Sequence, residues 1–268
     1  MRACAPLLAV AVVVGPACEW SWHHQCPDVS HEVCEPVVRA PIDPAGQVHR
    51  FVIDSIHLPA TTQDAAMLAF DLDGDLTCRP DNVIGLVLHS VASWLDTDLN
   101  AVLAELIAQG RIVHLLELQT TSLDDADGAS LRVYLGTDDD GDPTDNFSGT
   151  ETFGIDATVA SEALAGKVRS GTLDAAVGVV PLQIALPGVD DPFVLSLGTA
   201  RAELTVDPDG QHAHGRTGGS LTTQQVQEEL LPIAWLALVR IVEADCPGGT
   251  CAPDSRGQEI IDLLDDCE

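Results

Sequence analysis

The chain has few basic residues and few aromatic ones. Lys and Arg account for 12 of its 268 residues, against 42 Asp and Glu, which gives a formal charge of −30. Nucleic acids and anionic lipid surfaces are polyanions that such a chain repels, so we expect neither as a partner. Divalent cations are the expected partners, and the sequence indicates no particular protein or glycan partner.

Signatures of the common catalytic classes are also missing. The sequence has no Gly-x-Ser-x-Gly elbow, no His-Glu-x-x-His zinc motif, no P-loop and no Gly-x-Gly-x-x-Gly turn. Acidic pairs are so numerous that no two of them can be assigned as glycosidase catalysts. We therefore expect a non-catalytic protein, and an exported hydrolase is the alternative.

A membrane-spanning run is absent too, but the N-terminus carries a short apolar stretch. Arg2 precedes apolar residues 7–14, and the small-residue segment 15–17 follows them. This order predicts a secretory signal peptide over residues 1–17, because a membrane-spanning helix needs about 20 apolar residues. The protein is expected to be exported, either secreted or held in the cell envelope.

Cysteine usage fits an oxidising compartment. Cleavage after residue 17 places Cys18 at the new N-terminus, where bacterial lipoproteins carry their lipid, so membrane contact is expected only through this anchor. Lipidation of Cys18 leaves an even number of thiols for disulfides, and a zinc–thiolate site is the alternative. The candidate disulfide cysteines are Cys26, Cys34, Cys78, Cys246, Cys251 and Cys267. Their connectivity is open, with local bridges at the two ends as candidates.

A single α+β domain is predicted over residues 51–268, after a Cys- and Pro-rich leader over residues 18–50, and its C-terminus is expected to be stapled by disulfides. Apolar residues at three- and four-residue steps predict helices over 83–95 and 99–110 that form an N-terminal helical hairpin. Segments of β character are 51–57, 111–118, 130–135, 150–156, 168–178, 182–186, 193–197 and 200–206. They predict an antiparallel β-sheet or sandwich.

The C-terminal region predicts a further helix. Thr222 and Gln225 have the spacing of a capping box, and the helix that they open should run to about Glu243. Pro232 is expected to kink it. Because residues 233–239 are almost all apolar, we expect a buried core helix.

Two Asp-rich segments carry the clearest chemical signal. The first contains Asp71, Asp73 and Asp75, followed by Asp81 and Asn82, and the second contains Asp138, Asp140, Asp142 and Asp145. Asp at alternate positions of a tight turn directs several carboxylates at one point, and Ca²⁺ takes about six to eight oxygen ligands. Both segments resemble the calcium loops of EF-hand, dockerin and thrombospondin type-3 modules, whose core is Asp-x-Asp-x-Asp-Gly.

The resemblance implies that Asp71, Asp73 and Asp75 are the first three ligands of the first loop and that Asp81 or Asn82 completes it. The candidate ligands of the second loop are Asp138, Asp140, Asp142 and Asp145. Gly74 and Gly141 lie between the second and third acids, whereas the family places Gly after the third, and no bidentate Glu ends the motif. We therefore expect structural Ca²⁺ of modest affinity. The first loop also resembles a segment of uncharacterised bacterial exported lipoproteins, a resemblance that implies no activity.

His212 and His214 are a further pair of candidate metal ligands. On an extended strand, residues two apart face the same side, so this pair is able to hold zinc or copper in an exported hydrolase. Gly210 and Gly215 flank the pair and favour the other reading, a hairpin turn with exposed histidines.

Overall fold

A computed structural model describes residues 42, 45–70, 85, 92, 97–186, 189 and 191–265 of the chain. The predicted signal peptide, the first Asp loop and most of the predicted helix over 83–95 lie outside these residues, although Gly85 and Ala92 are helical. The predicted lipidation and disulfide cysteines that also lie outside them are Cys18, Cys26, Cys34, Cys78 and Cys267.

An antiparallel sheet of nine strands is the main structural unit of the described chain. The strands are β1 (Gln47–Val52), β2 (His114–Thr120), β3 (Ala126–Asp138), β4 (Phe153–Ile155), β5 (Leu164–Arg169), β6 (Thr172–Ala176), β7 (Val180–Ile184), β8 (Phe193–Val206) and β9 (Ala213–Ser220). Their order is β1-β2-β3-β5-β6-β8-β7, with β4 paired to β3 and β9 paired to β8. The predicted α+β class with an antiparallel sheet fits this architecture.

The described helices lie between β1 and β2 and after β9. They are α1 (Thr62–Leu68), α2 (Leu99–Ala108), α3 (Leu231–Asp245) and α4 (Arg256–Asp265). The second predicted helix is confirmed as α2, because the Asp98 carboxylate accepts hydrogen bonds from the N–H groups of Asn100 and Ala101 at its start. Gly110, with φ of +66°, ends the turn after it.

Several predicted strand boundaries are corrected. The segment 168–178 is not one strand, because Ser170 and Gly171 have φ of 50° and 82° and form a tight turn between β5 and β6. The segments 193–197 and 200–206 are a single strand, β8, whose pairing with β9 shifts register between Gly198 and Arg201. The first strand begins earlier than predicted, at Gln47, and α4 was not predicted.

The predicted capping box is present, since the Thr222 hydroxyl accepts from the Gln225 N–H and the Gln225 side chain accepts from the Thr222 N–H. A π-helical stretch, Val226–Leu230, leads directly into α3, and Pro232, where the sequence predicts a kink, lies in the first turn of α3. A widened turn suits Pro, which has no N–H to donate and crowds the preceding turn.

The prediction that this helix is a buried core helix is wrong. Of the α3 side chains, Ala237 is buried, whereas Trp235 is 54% exposed and Leu236 is also exposed. The helix is therefore only partly buried. Cys246 and Cys251, directly after α3, form a disulfide, which confirms a staple in the C-terminal region.

Most of the buried apolar residues lie in three clusters. The largest is formed by inward-facing residues of the sheet, among them Leu131, Leu164 and Leu173. The second joins Leu99 of α2 and Ala237 of α3 to the β7–β8 hairpin, and the third lies beneath the rest of α2. In the described chain, no helix has both the length and the apolar character needed to cross a membrane.

One buried polar side chain connects distant strands. His114, at the start of β2, is 2% exposed, and its Nε2 accepts a hydrogen bond from the backbone N–H of Gln183 in β7 at 3.0 Å. Burial lowers the pKa of His114 to about 4. The imidazole is therefore neutral at pH 7 and takes the place of a backbone acceptor at the β7 edge.

Candidate functional site

The second Asp loop is the long connection of the β3–β4 hairpin. Asp138 pairs with Phe153, and this pair closes the loop. Continued by two residues, the same antiparallel register sets Asp140 opposite Glu151. The hairpin therefore brings together two acidic residues from opposite ends of the loop.

Short-range hydrogen bonds shape the first half of this loop. One carboxylate oxygen of Asp138 accepts from the N–H groups of Asp140 and Gly141 at 3.2 and 2.9 Å. An Asp142 oxygen accepts from the N–H and hydroxyl of Thr144 at 3.1 and 2.7 Å, and these bonds lower the pKa of Asp142. These are Asx turns, so the conformation of the loop is set by its own side chains.

Three carboxylates of the loop converge. Asp140, Asp145 and Glu151 each offer an oxygen, and these oxygens all lie within 4.8 Å of one another. Of the predicted ligands in this loop, the structure thus groups Asp140 and Asp145, while Asp138 and Asp142 fall outside the group. Glu151 was missed, because its position beside Asp140 follows from the hairpin register and not from the Asp-rich motif.

Buried polar atoms without partners lie next to this carboxylate group. Oδ1 of Asp145 is shielded from solvent and accepts no hydrogen bond. The neighbouring Asn146 is 1% exposed, and neither its Oδ1 nor its Nδ2 has a partner. A Cβ placed on Gly110 would lie 2.9 Å from Asn146 Nδ2 and 3.2 Å from Asp138 Oδ2, so the amide lies between the Asp loop and the end of α2.

Asp139 belongs to the same loop but faces elsewhere. A Cβ placed on Gly154 would lie 2.8 Å from its Oδ1, which puts the Asp139 carboxylate against β4. Asp139 is also exposed and is not part of the converging group. It therefore provides a matched control for substitutions of Asp140.

Residues 69–70, which precede the first Asp loop, contact strands β8 and β9, although the loop itself lies outside the described residues. Phe70, directly before Asp71, is buried and lies 5.4 Å from the Arg201 guanidinium and 4.5 Å from the Arg216 guanidinium. Arg216 also donates to the carbonyl of Ala69 at 2.9 Å. These contacts fix residues 69–70 against strands β8 and β9.

The predicted histidine pair lies at the β8–β9 hairpin, and both side chains are exposed. His212 Nδ1 is 3.2 Å from Asp209, and His214 Nδ1 is 3.7 Å from Asp207. The group with metal-ligand spacing is Asp207, Asp209 and His212, without His214. The alternative of a hairpin turn with exposed histidines agrees with this arrangement.

A groove between α3 and α4 is almost entirely apolar. Its lining is Trp235, Leu238, Val239, Val242, Glu243, Ile260 and Ile261. One ionisable group in an apolar groove does not provide the convergent acid and base that hydrolysis requires.

No protein family, curated protein or solved structure matches the chain.

Proposed function

We propose that this chain is an exported, non-catalytic protein whose Asp-rich loops bind structural Ca²⁺, and that a lipid on Cys18 anchors it. The convergence of Asp140, Asp145 and Glu151 is the observation that supports this proposal. Ionised carboxylates held so close together repel one another, and a divalent cation between them turns that repulsion into attraction.

The ligand chemistry favours a hard cation. All the grouped atoms are carboxylate oxygens, whereas structural zinc sites use Cys and His and no such residue belongs to this group. Mg²⁺ demands a compact octahedron and holds its water tightly, while Ca²⁺ accepts irregular shells completed by water and carbonyl oxygens. An open hairpin loop with three carboxylates therefore suits Ca²⁺ better.

The expected stabilisation is modest. Extracellular calcium modules bind with dissociation constants of about 10⁻⁴ to 10⁻³ M. At about 1 mM Ca²⁺, a site of about 0.1 mM raises the free energy of unfolding by about 1.4 kcal/mol. For a domain of this size, that corresponds to an increase in Tm of about 4 °C.

Thermal unfolding of the mature chain with Ca²⁺ and with chelator tests the site. All samples carry Asp73→Ala, so that the first Asp loop does not contribute. We expect Ca²⁺ to raise the Tm of this parent, and Asp140→Asn and Glu151→Gln to abolish the increase. Asp139→Asn removes the same charge from the same loop and should keep it.

A parent whose Tm does not respond to Ca²⁺ would refute calcium binding at the second loop. Equal losses in Asp139→Asn and Asp140→Asn would show an effect of net charge without a site. The anchor is tested separately by incorporation of radiolabelled fatty acid, which Cys18→Ala should abolish. An unlabelled wild-type chain would remove the anchor from the proposal and leave the calcium site standing.

A further inference from the structure

We propose that the buried amide of Asn146 is an inner ligand of the cation faced by Asp140, Asp145 and Glu151, and that it couples cation binding to the end of α2. This inference rests on the proposed calcium function. It adds a neutral ligand that the Asp-x-Asp pattern does not contain, and it adds a structural consequence outside the loop.

The first support is the unmet hydrogen-bonding capacity of Asn146. A side-chain amide has an oxygen that accepts and a nitrogen that donates, and buried amides almost always satisfy both. The Asn146 side chain is buried, and neither atom has a partner among the residues that the structure describes. An orphaned amide in this position is explained if its oxygen binds a cation.

The second support is its place beside the carboxylates. Asn146 follows Asp145, whose buried Oδ1 also lacks a partner and which is a member of the converging group. A point at the Gly110 Cβ position is 2.9 Å from Asn146 Nδ2 and 3.2 Å from Asp138 Oδ2. The amide thus lies close to Gly110, which follows α2, and on the side of the loop that carries the Asp138 carboxylate.

One bound cation would satisfy the orphaned atoms together. Ca²⁺ readily accepts amide oxygens as ligands, and Asn146 Oδ1 is a buried oxygen without a partner among the described residues. With the Asn146 oxygen on the cation, the NH₂ group is free to donate to the Asp138 carboxylate. A buried water that bridges the same atoms is the competing explanation, and it involves no cation.

Coupling to α2 follows from Gly110. This residue has φ of +66° and no side chain, so the Asn146 amide packs against its backbone. The next residue, Arg111, donates its N–H to the Leu106 carbonyl at 2.9 Å and thereby closes the C-terminal turn of α2. A cation that fixes Asn146 should slow hydrogen exchange of the Arg111 amide.

Isothermal titration calorimetry with CaCl₂ tests the ligand role in the mature chain carrying Asp73→Ala. We expect Asn146→Leu, which has no oxygen, to weaken the Ca²⁺ affinity by at least about tenfold. Asn146→Asp keeps an oxygen in place and should bind at least as tightly as the parent. The Tm in chelator should be unchanged or higher in Asn146→Leu, because that variant buries no orphaned amide.

The outcomes separate the two proposals. A parent that binds no Ca²⁺ would refute the proposed function and this inference with it. A parent that binds, together with Asn146→Leu of equal affinity, would refute the inner ligand alone and would favour a buried water. If Ca²⁺ leaves exchange of the Arg111 amide unchanged in a parent that binds, the coupling to α2 is refuted.

Discussion

The buried imidazole of His114 should make the stability of this protein depend on pH between 6.5 and 4. Its Nε2 accepts from the Gln183 N–H, and burial lowers its pKa from 6.5 to about 4. In the unfolded chain the imidazole binds a proton near pH 6.5, whereas in the native state it does so only near pH 4. Between these values the unfolded chain binds more protons, so the free energy of unfolding falls as the pH falls.

The size of the effect follows from the two pKa values. Each pKa unit corresponds to about 1.4 kcal/mol, so the full loss below pH 4 is roughly 3 kcal/mol. At pH 5 more than half of this loss has occurred, and the His114 contribution to the free energy of unfolding is about 2 kcal/mol lower than at pH 7. Protonation would also require Nε2 to release the Gln183 N–H, because a protonated imidazole has no acceptor.

His114→Gln isolates this contribution. The Gln side chain does not titrate, and its oxygen is able to accept from the Gln183 N–H. Many carboxylates titrate near pH 4 as well, and relief of the repulsion in a chain of charge −30 acts in the opposite direction on acidification. Because both proteins carry those groups, the difference between their pH dependences reports His114 alone.

Urea unfolding at pH 8, 7 and 5 provides the measurement. Between pH 7 and pH 5, the free energy of unfolding of the wild type should fall by about 2 kcal/mol relative to that of His114→Gln. Between pH 8 and pH 7, both should change almost alike, because the imidazole is then largely neutral in the native and the unfolded states. Parallel curves from pH 7 to pH 5 would refute the assignment of His114 as a neutral acceptor at the β7 edge.

Two further predictions concern contacts near the ends of the domain. Arg216→Ala removes the contact with Phe70, the hydrogen bond to Ala69 and the ion pair with Glu203. In urea titrations this variant should lower the free energy of unfolding by about 1–2 kcal/mol. An unchanged unfolding midpoint would contradict this role of Arg216. Replacing Cys246 and Cys251 together by Ser opens a short covalent loop and should cost about 2 kcal/mol, with no further loss when reductant is added.

The elements that the sequence predicted well are those with local signals. Asp98 and Gly110 define the limits of α2, and Thr222 with Gln225 defines the start of the C-terminal helix, because caps depend on residues within one turn. The β5–β6 hairpin was missed even though Ser170 and Gly171 form its turn. The Ser-Gly dipeptide is a turn signal, but the prediction joined the apolar residues Val168 and Leu173 on its two sides into one strand.

The candidate site was predictable only in part for the same reason. Spacing along the chain predicted Asp138, Asp140, Asp142 and Asp145 as ligands, and the structure brings the carboxylates of Asp140 and Asp145 together in one group. Glu151 joins them through the Asp138–Phe153 pairing, which is a property of the sheet register and leaves no mark in the motif. Asn146 follows Asp145 as Asn82 follows Asp81, but only the structure shows that its side chain is buried without a partner among the described residues.

The architecture of the loop bears on what kind of calcium site the proposal requires. The β3–β4 pairing and the Asx turns of Asp138 and Asp142 hold the loop ends and its first half through contacts within the protein. A cation that binds such a loop has little backbone to order, so the accompanying change should be confined to Asn146 and its neighbours. A sensor instead needs a second packing of its helices that the ion selects. A loop closed by sheet pairing offers no such alternative, which makes a stabilising role the consistent interpretation of calcium here.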